Sequence, residues 1–416
     1  MPAESISWAT AVGALLALWL AGLAVVVRVH RRDLARLRRE PVFRHPVLVL
    51  DSDDWGAGPL SQAPALRALA DVLAAHRDAH GRTPVLNLAL VFAVPDGPAI
   101  RAEGVYRRLD LDDARFAPIV DALVAGRERG VFTLQLHGLE HYWPPTLMSC
   151  EDPAVAGWLR QDAPAATELL PSHLQSRWVD TSRLPSEPLP QAAVNDAVAQ
   201  EVRAFERIVG AAPAVVVPPT FVWSRAAEAA WARHGVRCVV TPGWRYTCRG
   251  ADGLPGGDEG PIVNGDRDGD LVYLARTDYF EPLRGRDADH ALGVLDAAVA
   301  EGRVCVLENH RDNFIGDATA CRRSLDELDR LCREALRRHH GLRFLSSPEL
   351  ARIVRERDAQ WLVAGWRQRL PFLWRRLHRT GRLWKLLVLT GAAAVGALTV
   401  RLLAAPSGST PVHHAT

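Results

Sequence analysis

The sequence predicts an α/β fold: a parallel (β/α) barrel of eight strands, flanked by one N-terminal and one C-terminal transmembrane helix. Short β-branched runs alternate with helical patterns through the middle of the chain, and an apolar stretch lies on each side of that middle. The eight predicted strands are residues 47–50, 85–90, 131–136, 214–217, 236–240, 271–275, 304–307 and 342–345.

The first apolar stretch, residues 7–27, carries no charge and is long enough to cross about 30 Å of hydrocarbon. An Arg-rich segment follows it and no basic residue precedes it, so we predict a membrane anchor rather than a secretory signal. The basic flank places the following chain in the cytoplasm. The second stretch, residues 386–405, has its Arg-rich flank before it and predicts a second span, with a hairpin or a buried helix as the alternative.

Between the barrel and the second stretch, Trp residues are interspersed with Arg, as in helices that lie among lipid headgroups. An amphipathic helix packed on the domain is the alternative, and Pro371 is expected to divide the segment into two helices. The predicted organisation is an anchor with its basic flank (1–45), the barrel (46–352), an interfacial segment (353–385), and a second transmembrane helix with a tail (386–416).

Charge and cysteine content restrict the class of protein. The formal net charge of +2 conceals basic ends and an acidic middle, which argues against a nucleic-acid partner. The six cysteines show no metal-ligand spacing and are expected to be reduced, buried thiols.

Metal-ligand residue types follow two of the predicted strands. Asp53 and Asp54 come after the first strand, and His137 and His141 come after the third. Two imidazoles and a carboxylate are a standard ligand set for a catalytic zinc ion, and the second Asp could then act as a base. His310 follows a later strand and could protonate a leaving amine.

Two other interpretations remain open for these residues. His-x-x-Glu-His is also the inverted zinc peptidase motif, in which Glu140 would be the base. That motif needs a helix, whereas here a strand precedes it and Pro144 and Pro145 end any helix within a turn, so a loop is favoured. A non-catalytic barrel that binds sugar is the other alternative.

The Asp-Asp pair and His-x-x-x-His resemble the first two motifs of the NodB-like polysaccharide deacetylases, a family of carbohydrate esterases, and the resemblance covers about residues 46–352. It implies that Asp53 is the base, that His310 is the acid, and that the metal ligands are Asp54, His137 and His141. It also implies a distorted barrel, usually with seven strands, so the expected fold is a distorted (β/α) barrel of seven or eight strands.

The family's third motif falls on residues 217–223, which contain prolines but no Arg near the base. Arg225 or Arg245 could supply that Arg, and Asp51 is a third acid near the pair. The predicted substrate contacts in this motif are Pro219, Phe221 and Trp223.

The expected activity is metal-dependent hydrolysis of an N-acyl group, in particular N-acetyl, on an amino sugar. Zinc is the expected metal, although cobalt, nickel or iron could use the same ligands. The expected partners are a lipid bilayer and a glycan or lipid-linked saccharide substrate on the cytoplasmic side. Residues 144–190, called the Pro-rich segment below, could form a lid or wall over the site.

Overall fold

The computed structural model of the protein describes residues 8–164 and 166–404. Its fold is mixed α/β and is built on one curled ten-stranded sheet. Ser7, Ala405 and the tail of the predicted C-terminal region lie outside the described residues. Contacts group the described chain into two compact units: one comprises His45–Val299 and Arg303–Asp358, and the other comprises the described residues up to Arg44, residues 300–302 and those from Ala359 onward.

The strands are β1 Val47–Gly56, β2 Leu86–Val91, β3 Ala93–Pro95, β4 Arg108–Asp110, β5 Phe132–Leu136, β6 Val179–Asp180, β7 Glu187–Pro188, β8 Val215–Val216, β9 Cys238–Thr241, β10 Cys248–Arg249, β11 Pro255–Gly256, β12 Arg267–Asp268, β13 Leu271–Ala275, β14 Asp278–Tyr279, β15 Cys305–His310 and β16 Arg343–Phe344. The α-helices are α1 Trp8–Val29, α2 Arg31–Arg39, α3 Gln62–Ala74, α4 Gly97–Glu103, α5 Ala117–Glu128, α6 Pro144–Met148, α7 Pro153–Leu159, α8 Gln191–Val209, α9 Arg225–Arg233, α10 Ala288–Ala300, α11 Ala318–Arg338, α12 Ser347–Glu356, α13 Trp366–His378, α14 Arg382–Leu389 and α15 Ala392–Leu403.

All eight predicted strand runs contribute strands to this sheet, in the order β12-β13-β9-β8-β5-β2-β1-β15-β14, with β16 also paired to β1. The pairs β13–β9, β9–β8, β8–β5, β5–β2, β2–β1 and β1–β15 are parallel, as crossover helices require. Parallel strands direct their carboxyl ends to one edge, so side chains that follow different strands meet there.

The two ends of the sheet approach each other at one short connection. β13 and β14 lie at opposite ends of the strand order, yet only two residues separate them in the chain. The backbone N–H of Arg276 donates to Thr241 of β9 (2.8 Å), and that of Thr277 donates to Val306 of β15 (2.8 Å). The curled sheet is therefore bridged at this seam by the backbone of Arg276 and Thr277.

The core lies between the sheet and its helices. The amphipathic helices α8 and α11 bury their apolar stripes, including Val198 and Leu331. All six cysteines are free thiols, and Cys238, Cys305 and Cys332 are buried.

The second unit contains α1, α2, α13, α14 and α15. α1 confirms an N-terminal helix long and apolar enough to cross a membrane, a property that signal sequences share. Pro371 was expected to divide residues 353–385 into two helices, but it lies inside α13. A proline removes one backbone hydrogen bond, and the other bonds of the helix compensate for that loss. The chain breaks instead near Gly381, whose φ is +52°.

The second predicted span is interrupted. α14 and α15 form a pair bent by 93° at Thr390 and Gly391, and Gly391 has a φ of +73°. A glycine adopts this left-handed conformation without the steric cost that a side chain would add. The single helix expected over residues 386–405 is thus two short helices.

Candidate metal centre

The ends of three parallel strands bring the predicted site residues together. Asp53 and Asp54 lie near the end of β1, His137 follows β5 directly, and His310 is the last residue of β15. Asp53 is in register with His310 across the β1–β15 pair. Sequence-distant residues therefore meet because each follows a strand of the same sheet.

Asp54, His137 and His141 converge on one point. The Asp54 Oδ1 atom lies 3.2 Å from His141 Nε2 and 3.5 Å from His137 Nε2, and the two Nε2 atoms are 3.1 Å apart. All three side chains are buried. One oxygen and two nitrogens in this arrangement form a group that could hold a metal ion.

The local backbone directs these side chains into the site. Asp54 has a φ of +73°, which costs about 1–2 kcal/mol for a residue with a side chain, and the pairing of β1 with β2 shifts register between Ser52 and Trp55. Such an irregularity re-aims the side chains at a strand end. The His137 ring is oriented by its Nδ1–H, which donates to the Val217 carbonyl at 2.6 Å and leaves Nε2 as the lone-pair atom.

The electrostatics of the triad suit a cation. Burial raises the pKa of Asp54, but the facing imidazoles of His141 and His137 outweigh it and hold the pKa well below its usual range. Burial also lowers the pKa of His141 to about 4, against the opposing charge of Asp54, so this ring is neutral at pH 7. Asp54 Oδ1 and His141 Nδ1 are buried without a hydrogen-bond partner among the described residues, so the chain itself leaves the triad unsatisfied.

Asp53 is held by a buried arginine, Arg276, that was not among the predicted site residues. Arg276 Nη1 and Nη2 each donate to one oxygen of Asp53 at 2.7 Å, and the same guanidinium lies 3.1 Å from Glu308 and 3.2 Å from Asp51. Burial raises the pKa of Asp53, but the charge and hydrogen bonds of Arg276 outweigh it and keep the pKa below its ordinary value. Asp53 is consequently ionised at neutral pH.

His310 lies beside Asp53 and has two carboxylate neighbours. Its Nδ1–H donates to Glu281 at 2.6 Å, and its Nε2 lies 3.5 Å from Glu308. Burial lowers the pKa of His310, but the Glu281 hydrogen bond and the surrounding carboxylates outweigh it and raise the pKa to about 10. The imidazole is thus protonated at neutral pH, as a general acid must be.

These groups line one cavity of about 210 Å³. The Pro-rich segment contributes Glu168 to its wall, as the sequence suggested for this segment, and Glu168 forms a two-point ion pair with Arg311 at 2.6 and 2.7 Å. Arg311 is completely buried and directly follows His310. The ion pair therefore attaches the Pro-rich segment next to His310, the candidate general acid.

No family model matches this sequence, and no curated protein matches it. Among solved structures, the chain is similar to a family 4 carbohydrate esterase from Streptomyces lividans in complex with acetate, at 13% identity over 73% of this chain and 94% of that chain, with a TM-score of 0.34. It is also similar to a putative polysaccharide deacetylase from Mycobacterium smegmatis, at 11% identity over 75% of this chain and 90% of that chain, with a TM-score of 0.37.

A third similar structure is the 4-alpha-glucanotransferase from Thermococcus litoralis, at 12% identity over 75% of this chain, with a TM-score of 0.39. The match covers 40% of the length of that enzyme. Similarities at these identities and TM-scores assign neither a family nor a substrate.

Glu140 does not face the metal candidate. The stretch 137–143 is a loop rather than a helix, and Glu140 pairs with Arg177 (2.9 Å) and lies 3.6 Å from Arg108. It lines a separate cavity, together with Tyr106 and Trp143. The geometry that an inverted zinc peptidase needs, with this glutamate beside the metal, is therefore not present.

The predicted substrate contacts divide. Phe221 lines the cavity, with the Arg276 guanidinium 5.5 Å from its ring centre. Trp223 is instead a core residue, fully buried with its indole N–H donating to Glu228, and Pro219 is also buried outside the cavity lining. The periodicity of a short proline-rich stretch cannot separate these two environments.

Neither of the two arginines predicted to lie near the base is found there. Arg225 pairs with Glu259 and Asp268, and Arg245 pairs with Glu228 and Glu259, so neither reaches Asp53. Asp51 is fully buried beneath the site, where it accepts a hydrogen bond from Ser347, and it does not line the cavity. A signal for Arg276 existed, because it directly follows the predicted strand 271–275.

Proposed function

We propose that this protein is a metal-dependent hydrolase that removes an N-acyl group, in the simplest case acetyl, from an amino sugar of a glycan or lipid-linked saccharide. One observation carries the proposal. A buried triad of one carboxylate and two imidazoles lies beside two further groups at neighbouring strand ends. These are the Asp53 carboxylate, held by an arginine, and the His310 imidazolium, held by a carboxylate. Base, metal ligands and acid are the groups that such a hydrolysis needs.

Asp54, His137 and His141 would hold the metal, because each offers one ligand atom at a shared point and Asp54 Oδ1 has no hydrogen-bond partner among the described residues. A bound divalent ion supplies Lewis acidity toward the scissile carbonyl and makes water more acidic. Zinc suits two nitrogens and one oxygen, and cobalt, nickel or iron accept the same donors. A second group of carboxylates and an imidazole consists of Asp53, Glu308 and His310. Its two carboxylates already pair with the guanidinium of Arg276, so this group needs no further cation.

Asp53 would accept the proton of the attacking water. Its two hydrogen bonds from Arg276 fix the carboxylate in one orientation and keep it ionised. His310 would donate a proton to the departing amine, and its hydrogen bond to Glu281 orients the ring and stabilises the charged form. An amide is cleaved productively only when the amine leaves protonated, so an imidazolium on this side of the cavity suits a C–N bond.

The proposal includes attachment to a membrane through α1, with the catalytic unit on the cytoplasmic side. The Arg-rich segment after α1 supports this orientation. A reporter that fluoresces only in the cytoplasm, inserted between Arg44 and Pro46, should be bright. A dark fusion, with an active counterpart whose reporter works outside the cytoplasm, would reverse the orientation.

Metal content tests the catalytic proposal directly. Purified full-length protein should retain about one divalent ion per chain by elemental analysis, and His137→Ala should retain far less. Release of acetate from N-acetylated chito-oligosaccharides should be abolished by Asp53→Asn and preserved by the matched control Glu140→Gln. Protein without metal would refute the proposal, and activity lost with Glu140→Gln but kept with Asp53→Asn would favour a peptidase.

A further inference from the structure

The helix pair α14–α15 is too short to cross a membrane in the shape it adopts. At 1.5 Å per residue, α14 is about 12 Å long and α15 about 18 Å. With the 93° bend between them, their far ends lie about 21 Å apart, well below the roughly 30 Å of a hydrocarbon layer. A straight helix of the same residues would just have reached across.

The bend is held by a residue from the middle of α1. In a continuous helix the Thr390 carbonyl would accept from the N–H of Ala394, but that N–H donates to Gly391 at 3.1 Å. The Thr390 carbonyl instead accepts a hydrogen bond from the indole N–H of Trp19 at 2.7 Å. Backbone groups at a helix break need such partners inside an apolar layer, where water is absent.

Trp19 sets the depth of the bend. It is the twelfth of the 22 residues of α1, about 14 Å along the axis from Arg28 at the basic end. α14 begins at the charged residue Arg382 and reaches Thr390 over a comparable length. The bend therefore lies inside the layer that α1 would cross, no deeper than about its middle.

α15 leaves the bend at about a right angle to α14 rather than continuing along it. A Cβ atom at Gly396, near the middle of α15, would lie 2.5 Å from the Trp374 ring, so the backbone of α15 packs directly on this indole. Trp374 belongs to the Arg-rich α13 and also packs edge-on against Trp384, in the first turn of α14 (5.5 Å). One indole thus contacts the beginning of α14 and the middle of α15, which brings the two to the same level.

The surface of α15 fits a lipid environment. None of its residues is buried, and its exposed apolar side chains include Val395, Leu398 and Leu402. Arg401 lies in its last turn, where a long side chain can reach the headgroups. The Trp residues of α13 and α14 are of the type that is enriched at headgroup depth.

We infer that α14 and α15, inclined about equally to the layer and joined at about a right angle, form a re-entrant hairpin that enters a single leaflet and returns to the side on which α2 and α13 lie. This inference rests on the proposed membrane attachment through α1 and replaces the second transmembrane span with an embedded, one-sided contact. The occupant of the exposed apolar surface is the acyl layer of that leaflet.

Three variants, W8C, R31C and R401C, each carry one added cysteine and test the hairpin. Each variant is treated with a membrane-impermeant maleimide in intact cells and in inverted vesicles, and peptide mass spectrometry reads each cysteine separately, so the native cysteines can stay. We expect R401C and R31C to be labelled in inverted vesicles and W8C in intact cells. Cys321, half-buried in α11, serves as an internal control, and a thermal unfolding scan checks each fold.

The outcomes separate the two proposals. If R401C is labelled with W8C in intact cells while R31C is not, the anchor stands and the hairpin is wrong, because the chain has crossed. If W8C and R31C are labelled from the same face, α1 does not span, and both the membrane attachment and the hairpin fail. Labelling of R401C together with R31C, opposite to W8C, supports the hairpin.

Discussion

Replacing Arg276 with Gln should raise the pKa of Asp53 and move the acidic limb of the rate profile to higher pH. The two hydrogen bonds of 2.7 Å place a full positive charge against this carboxylate, where both side chains are almost completely buried. Glutamine can still donate a hydrogen bond but carries no charge. The base would then be protonated over part of the range in which the native protein is active.

The magnitude follows from the separation of the charges. With charge centres about 4 Å apart and an effective dielectric constant of about 20, the attraction is about 4 kcal/mol, equivalent to about 3 pKa units. Arg276 also faces Glu308 and Asp51, whose pKa values are raised because burial outweighs the arginine, so part of the effect is shared. We expect the acidic limb of kcat/KM to shift upward by about 2 units.

The sign is fixed by the direction of the native shift. Arg276 holds the pKa of Asp53 below its ordinary value, so the base stays ionised until the pH falls through that lowered pKa. Without the arginine, the proton binds at a higher pH and activity is lost earlier on acidification. Stability should fall as well, by about 3–5 kcal/mol, because buried carboxylates lose their cation.

The assay is acetate release from N-acetylated chito-oligosaccharides over a pH range that extends below 3.8, the ordinary pKa of aspartate, and above 10, measured for the native chain, R276Q and R276K. Lysine keeps the charge but loses the two-point geometry, so R276K should shift the acidic limb by less than about 1 unit. Thermal unfolding measured on the same samples reports stability. If R276Q lowers stability while its acidic limb stays where the native one is, Arg276 is a structural residue and the reasoning about the base is refuted.

Three further perturbations have defined outcomes. Glu281→Gln should move the basic limb of kcat/KM to lower pH, because Glu281 raises the pKa of His310 to about 10 against the opposing effect of burial; an unmoved basic limb would contradict this role. Burial raises the pKa of Glu201 to about 7, so the native chain should lose up to about 3 kcal/mol of unfolding free energy between pH 5 and 8 relative to Glu201→Gln, measured with urea; identical pH dependence would show that Glu201 does not titrate in this range. Glu168→Ala leaves the buried Arg311 without its partner, so limited proteolysis should cut the Pro-rich segment several-fold faster than in the native chain; equal rates would show that the ion pair does not hold the wall.

The residues of the triad were predictable because their signal is local. Asp54, His137 and His141 each follow an apolar β-branched run, and parallel strands in one sheet bring such positions to one edge. His310 follows from the same rule. No knowledge of the barrel beyond strand direction is needed to group them.

Arg276 could not be assigned to Asp53 from the sequence, although it also follows a predicted strand. Its partner depends on how far the sheet curls, since the residues that follow β13 reach β15 from the other side of the strand order. Arg225 and Arg245 were considered because they lie closer along the chain to the third motif. Closeness along the chain does not predict contacts at this seam, because the order of all the strands in the sheet decides which residues meet there.

The C-terminal helices show the limit of composition as a guide. Pro371 was expected to break a helix and does not, whereas Gly391 breaks one inside an apolar stretch that hydropathy treats as continuous. A proline removes one donor, but a glycine in the left-handed region reverses the course of the backbone. What decides the outcome at Gly391 is the contact of Thr390 with Trp19, which lies 371 residues away in the chain.

Charge balance explains why the metal would bind the Asp54 triad rather than the neighbouring group. Asp53 has the guanidinium of Arg276, and Glu281 has the imidazolium of His310. Asp54 faces the imidazoles of His137 and His141, of which His141 is neutral at pH 7, and is the cavity carboxylate without an arginine partner among the described residues. A divalent ion there would leave a local excess of positive charge, which stabilises the negative charge that develops on an acyl oxygen during hydrolysis. Asp54→Asn should therefore reduce metal retention strongly, while Asp53→Asn should abolish activity and leave the metal in place.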